Sequence, residues 1–220
     1  KTVELTTAAI DAPALSPDGR MRYYDPNDGK FYTVTADGRV RSLSDTAFQK
    51  AQAVSWNTNG SKALMEFPDG SNILYNFENG RQLTLPKHWE DLSFAKNSDE
   101  IIGKSIGVDP RNRSIVVAND DGSQVKAVQE LGTNADKVQI NPSPEGTVIA
   151  FSNTGETQPG FGRGMILPIG KNHENLKGLV VEGFNFASQW SPSGSRLLYS
   201  AAGEIGNYQP QLWLVDGSSN

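Results

Sequence analysis

Trp190-Ser191-Pro192-Ser193-Gly194, followed by the apolar run Leu197 to Tyr199, is the stretch whose reading decides the fold. An aromatic residue leads into a turn marked by Pro and Gly, and the turn leads into a short apolar strand. The same unit recurs along the chain. Its other copies are Leu15-Ser16-Pro17-Asp18-Gly19, Trp56-Asn57-Thr58-Asn59-Gly60, Phe94-Ala95-Lys96-Asn97-Ser98 and Pro142-Ser143-Pro144-Glu145-Gly146. Their last positions fall at 19, 60, 98, 146 and 194, so the spacings are 41, 38, 48 and 48. A repeat near forty residues is the period of a four-stranded propeller blade.

Each copy continues alike. An apolar strand follows the first turn, then a second turn, then another apolar strand such as Ile73 to Phe77 or Leu212 to Val215. Asp37-Gly38, Asn79-Gly80, Asp121-Gly122 and Asp216-Gly217 come next. Asn-Gly and Asp-Gly between apolar runs are strong hairpin signals, because a tight hairpin turn needs positive φ at both central residues. No window keeps a helical apolar period for three turns without a Gly or Pro break. Ser44 to Ala53 is the best helical window, and it reads as the connection between the first two blades.

The expectation is an all-β fold, a β-propeller of about five four-stranded blades in a single domain, 1–220. The blades are expected near 8–44, 51–86, 89–131, 136–181 and 184–217. Val3-Glu4-Leu5-Thr6 matches an outermost strand such as Arg81-Gln82-Leu83-Thr84. Residues 1–7 are therefore expected to complete the last blade and clasp the ring, removing an exposed sheet edge.

This pattern resembles the TolB-type, WD-like (PD40-like) propeller repeat. Trp190 to Gly194 and Leu212-Trp213-Leu214-Val215-Asp216-Gly217 carry the resemblance best. Similar repeats occur in the propeller domains of prolyl-oligopeptidase-like peptidases. The resemblance spans nearly the whole chain. Blade three departs from it, with Lys96-Asn97-Ser98 in place of Pro-Asp-Gly, and blade four puts Pro142 at the aromatic position. What the resemblance implies is a bacterial protein-binding or scaffolding module, in a periplasmic, cell-surface or extracellular setting.

Composition bounds the function classes. The 220 residues are 36% hydrophobic with 4 Trp, 9 Phe and 6 Tyr, enough to build a core. Net charge is −5 and no basic stripe is visible, which argues against a nucleic-acid partner. There is no Cys, so disulfides and thiolate metal sites are excluded. No apolar run approaches the ~18 residues of a membrane helix, so membrane insertion is not expected.

No catalytic set assembles from the sequence. His88 and His173 are the two histidines, and a Gly-x-Ser-x-Gly elbow is lacking. Gly103-Lys104-Ser105 ends like a phosphate loop, but Ser98 occupies its first Gly position. Asp25-Pro26-Asn27-Asp28-Gly29 has its Gly one place too early for a calcium loop and no Glu at twelve. Neither a metal nor a cofactor is expected. Asp11 and Glu90 stand four residues before the aromatic position of blades one and three, where the other blades carry Gln52, Val138 and Phe186. Two carboxylates there could flank a sugar at the channel mouth. The irregular loops Asn153 to Gly164 and Ala202 to Pro210 bring Phe161, Arg163 and Tyr208, residue types that anchor interfaces. The leading expectation is a non-enzymatic protein-interaction or scaffolding propeller. A glycan-active or glycan-binding propeller is the alternative, and a structural assembly subunit the second alternative.

Overall fold

The turn after each innermost strand sets the frame. The backbone N–H of Ser16 donates to Arg20 O, and those of Asn57, Ala95, Ser143 and Ser191 donate to the carbonyls of Lys62, Glu100, Val148 and Arg196. The five sequence copies thus occupy equivalent places. In four of them the turn closes with the Gly N–H donating to that same first residue, at Gly19, Gly60, Gly146 and Gly194. These glycines sit at φ between 69° and 81°, a region costly for any residue with a Cβ.

The computed structural model describes residues 6, 9–153, 163–182, 184–202 and 210–216. Blade one is β1 (Asp11–Leu15), β2 (Met21–Asp25), β3 (Lys30–Val34) and β4 (Val40–Ser42). Blade two is β5 (Ala53–Trp56), β6 (Lys62–Glu66), β7 (Asn72–Asn76) and β8 (Gln82–Leu85). Blade three is β9 (Trp89–Phe94), β10 (Ile101–Ile106), β11 (Arg113–Ala118) and β12 (Lys126–Glu130). Blade four is β13 (Val138–Ile140), β14 (Val148–Ser152), β15 (Arg163–Gly170) and β16 (Leu179–Glu182). Blade five is β17 (Phe184–Trp190), β18 (Arg196–Ala202) and β19 (Pro210–Asp216). Each blade is an antiparallel meander whose strands pair in chain order. The fold is an all-β propeller of five blades, as the repeat requires.

Residues 44–52 form bends and turns that connect blades one and two, as the sequence reads. Two short 3-10 turns, Pro110–Asn112 and Gly132–Lys137, flank β11 and β12. The expected closing strand 1–7 lies outside the described residues, Thr6 apart.

Strand alternation explains where the core sits. Successive side chains point to opposite faces, so each inner sheet feeds two inter-blade interfaces. Ala63 and Met65 pack with Tyr24, Phe31 and Trp56 between blades one and two. Leu64, between them in sequence, packs with Phe94, Ile101 and Val116 between blades two and three. Ile102, Ile115, Val117 and Ile149 fill the next interface, and Phe151, Phe186, Leu197 and Tyr199 the one after it. The aromatic repeat position is structural. Trp56 and Phe94 are buried, and each ends its innermost strand. Trp56 Nε1 donates to Ala12 O of the preceding blade at 2.8 Å, and Trp190 Nε1 to Asn141 O at 3.2 Å. Phe94 has no such donor, and blade three is joined to its neighbours by other means.

Candidate functional site: a cavity on the propeller axis

The first turns of the blades surround a cavity of about 600 Å³. All five blades line it: Ala12 to Leu15, Val54 to Thr58, Lys96, the Asn141-Pro142 and Pro144 turn, and Ser188 to Pro192. The third residue of the repeat turn points the same way in four blades, as Thr58, Lys96, Pro144 and Pro192 all border the space. Lys96 is the one charged side chain among these lining residues.

The rim is belted from turn to turn. Thr58 Oγ1 donates to Lys96 O at 2.7 Å, Asn97 Nδ2 to Glu145 O at 2.9 Å, and Asn57 Nδ2 to Asp99 at 3.1 Å. Two of the three wall amides, Asn57 and Asn141, are committed to the fold. Asn57 Oδ1 accepts the Lys62 N–H at 2.9 Å, and Asn141 Nδ2 donates to Ser188 O at 2.9 Å. Four prolines, two tryptophans and small apolar residues supply most of the rest. Lys96 is exposed, since water enters the cavity, yet desolvation by the surrounding protein lowers its pKa. No carboxylate forms an ion pair with it among the described residues.

The opposite ends of the innermost strands hold the acids. Asp11 opens β1 and Glu90 is the second residue of β9, both exposed. Neither lines the axial cavity. Six residues of extended strand, roughly 20 Å, separate Glu90 from Lys96. Between them β9 bulges, with Asp91 at φ 53°. The Glu66 carboxylate holds the bulge, accepting the N–H groups of Asp91 and Leu92 at 3.0 and 2.8 Å, while burial pushes its pKa up. Lys104 is buried beside it. Its ammonium pairs with Asp91 and donates to Ala135 O and Val138 O, both at 3.2 Å, bolting blade three to blade four.

Of the loop residues, Phe161 and Tyr208 lie outside the described residues. Arg163 opens β15 opposite Glu182. Sequence reasoning missed Lys96 as a site residue. Its signal was the departure of blade three from the repeat, a cation where blades one, four and five carry Pro.

No protein-family model matches the chain. A flagellar P-ring protein of Alteromonas mediterranea is 25% identical over 135 residues, covering 57% of this chain and 35% of that protein. TolB from Acinetobacter baumannii superposes with a TM-score of 0.61 at 15% identity, over 95% of this chain and 52% of that one. The chain has the fold of the TolB-type and WD40-like propellers. An oligogalacturonate lyase from Vibrio parahaemolyticus gives 0.66 at 14% identity, over 99% and 66%. The propeller domain of Myceliophteria thermophila Cps50 gives 0.56 at 13%, over 92% and 70%. The chain thus spans about a third of the curated relative and about half of TolB. Another oligogalacturonate lyase of this fold was solved in complex with manganese. Among the described residues here, no three His, Cys, Asp or Glu side chains gather to hold a metal ion, so they do not fit that ion. No helix among them is long and apolar enough to cross a membrane.

Proposed function

We propose that this chain is a non-catalytic binding propeller whose axial cavity receives an extended, acidic segment of a partner protein. The observation that carries the reading is the placement of Lys96, the lone charge on a five-blade cavity otherwise walled by Pro, Trp and small residues. An ammonium that has no ion-pair partner among the described residues gains from a carboxylate that enters beside it. A cavity of about 600 Å³ is within the range of small-ligand and peptide sites. Two of the three wall amides, Asn57 and Asn141, are held by Lys62, Asp99 and Ser188 and so are not open to a sugar hydroxyl. The acids Asp11 and Glu90 play no chemical part in this reading. The shared fold with TolB goes with the periplasmic, cell-surface or extracellular setting that the repeat implies.

An acidic glycan is the second reading. The likeness of two oligogalacturonate lyases over 97% and 99% of the chain favours it, and a uronate carboxylate would answer Lys96 equally well.

Calorimetric titration with a panel of Asp/Glu-rich peptides and with oligogalacturonate separates the two. Saturable binding of an acidic peptide is expected, weakened about tenfold or more by Lys96→Gln, the scale of a charged hydrogen bond. Binding of oligogalacturonate alone would transfer the site to the second reading. Binding of neither, or binding indifferent to Lys96→Gln, would sink both.

A further inference from the structure

The innermost strand of each blade has one neighbour and one free edge, since β1, β5, β9, β13 and β17 each end their sheets. In an antiparallel pair, main-chain groups point by turns toward the partner strand and away from it. Asn57 N–H donates to Lys62 O, and Trp56↔Ala63, Ser55↔Leu64 and Val54↔Met65 continue that register. Ser55 therefore bonds to β6, whereas Val54 and Trp56 turn their N–H and C=O groups away from it. Both residues line the axial cavity.

Each of the other innermost strands is interrupted at this edge. In β1, Pro13 has no N–H, and Ala12 O accepts the Trp56 indole at 2.8 Å. In β9 the Glu66 carboxylate takes the Leu92 N–H at 2.8 Å, and Ser93 Oγ donates to Phe94 O at 3.3 Å. In β13 the Val138 N–H donates to Ala135 O, and Val138 O accepts the Lys104 ammonium at 3.2 Å. In β17, Ser188 O accepts the Asn141 amide at 2.9 Å. Among the described residues, no side chain or further backbone group bonds the Val54 or Trp56 main chain. The cause lies in the repeat. Trp56 and Trp190 give indole donors to the strand of the blade before them, and Phe94, which follows blade two, has none to give.

We propose that the partner's segment enters the axial cavity as an added strand, paired to the free edge of β5 at Val54 and Trp56. This rests on the reading of the cavity as the site of an extended acidic segment. It names what the cavity recognises: peptide main chain at alternate residues, beside one carboxylate. Strand addition draws its affinity from main-chain hydrogen bonds and asks little of side chains. Val54 and Trp56 offer two donors and two acceptors over roughly 7 Å of strand. Lys96 lies beyond the Trp56 end of that strand, because its carbonyl accepts from Thr58 Oγ1 at 2.7 Å. A segment paired along β5 that runs on past Thr58 leads an acidic side chain toward the ammonium. A uronate chain has no N–H to donate to the edge.

Single N-methylation along the tightest-binding Asp/Glu-rich peptide, read by calorimetric titration, tests it. A methyl group removes one N–H and leaves every side chain in place. Two positions two residues apart are expected to lose about tenfold or more in affinity, with the position between them unaffected. Hydrogen exchange followed by nuclear magnetic resonance reads the protein's side. The Val54 and Trp56 amides should slow roughly tenfold or more in the complex, and the Ser55 amide, already bonded to β6, should change less. A Lys96-dependent peptide whose affinity survives N-methylation at every position, with Val54 and Trp56 exchanging as before, overturns the added strand and leaves the acidic-segment reading standing. No peptide binding at all, or binding of oligogalacturonate alone, overturns both.

Discussion

Glycines at the first turns do two jobs, and the structure separates them. Gly19 and Gly146 share the left-handed backbone, at φ 77° and 81°. A Cβ on Gly19 would meet nothing within 4 Å, whereas one on Gly146 would run into the Asn97 amide. That amide holds Glu145 O at 2.9 Å and so ties blade three to blade four. Gly19→Ala is therefore expected to cost about 1–2 kcal/mol, the price of the backbone alone. Gly146→Ala is expected to cost about 1 kcal/mol more, the net worth of the lost hydrogen bond. Urea unfolding of the two variants measures the difference, and equal losses would show that the Asn97 contact contributes nothing. The backbone requirement could be read from Gly at the repeat position. The contact could not, since it comes from the turn of the preceding blade. Lys96 is a similar case. A break in the repeat was visible in the sequence, but its meaning came only when Thr58, Pro144 and Pro192 appeared around the same cavity.

Elements were legible where turn chemistry marked them and obscure where it did not. Strands following Pro-Gly, Asn-Gly and Asp-Gly turns fall where the pattern put them. The 3-10 turn Gly132–Lys137 had no such signal, and its place follows from Ala135 and Val138 supplying carbonyls to Lys104. Ion pairs between blades were also invisible, because they join residues such as Glu100 and Lys171 that are far apart in the chain. They give the fold a pH dependence. Desolvation pushes the Asp99 and Glu100 carboxyls upward, but hydrogen bonds and charge from Lys62 and Lys171 outweigh it, and both end below their ordinary values of 3.8 and 4.5. A depressed carboxylate stabilises the fold above its unfolded-state pKa, and that stability is lost as pH falls through the folded value. Both groups are partly solvated, so each pair is worth at most about 1 kcal/mol. The urea midpoint should fall between pH 5 and pH 3. Asp99→Asn with Glu100→Gln should make that fall shallower while lowering the midpoint at pH 7. An unchanged slope would assign acid sensitivity to other groups.

At the scale of the molecule, one repeat position has two fates. Leu74 and Leu214 hold the same register in the third strands of their blades, and nothing local distinguishes them. The arrangement of blades does. Leu74 enters the cluster between blades two and three, with Leu64, Phe94 and Ile101 in it, whereas Leu214 is exposed on blade five. Burial is thus set by what packs on a strand, and the repeat that reveals the blades is silent about which faces are covered. Leu74→Ala should cost about 2–5 kcal/mol, the range for a core leucine that leaves a cavity. Leu214→Ala should stay within about 0.5 kcal/mol, as for other exposed substitutions. Urea unfolding of the two variants measures the difference. A large loss at Leu214 would mean that its side chain is covered in the folded protein in solution.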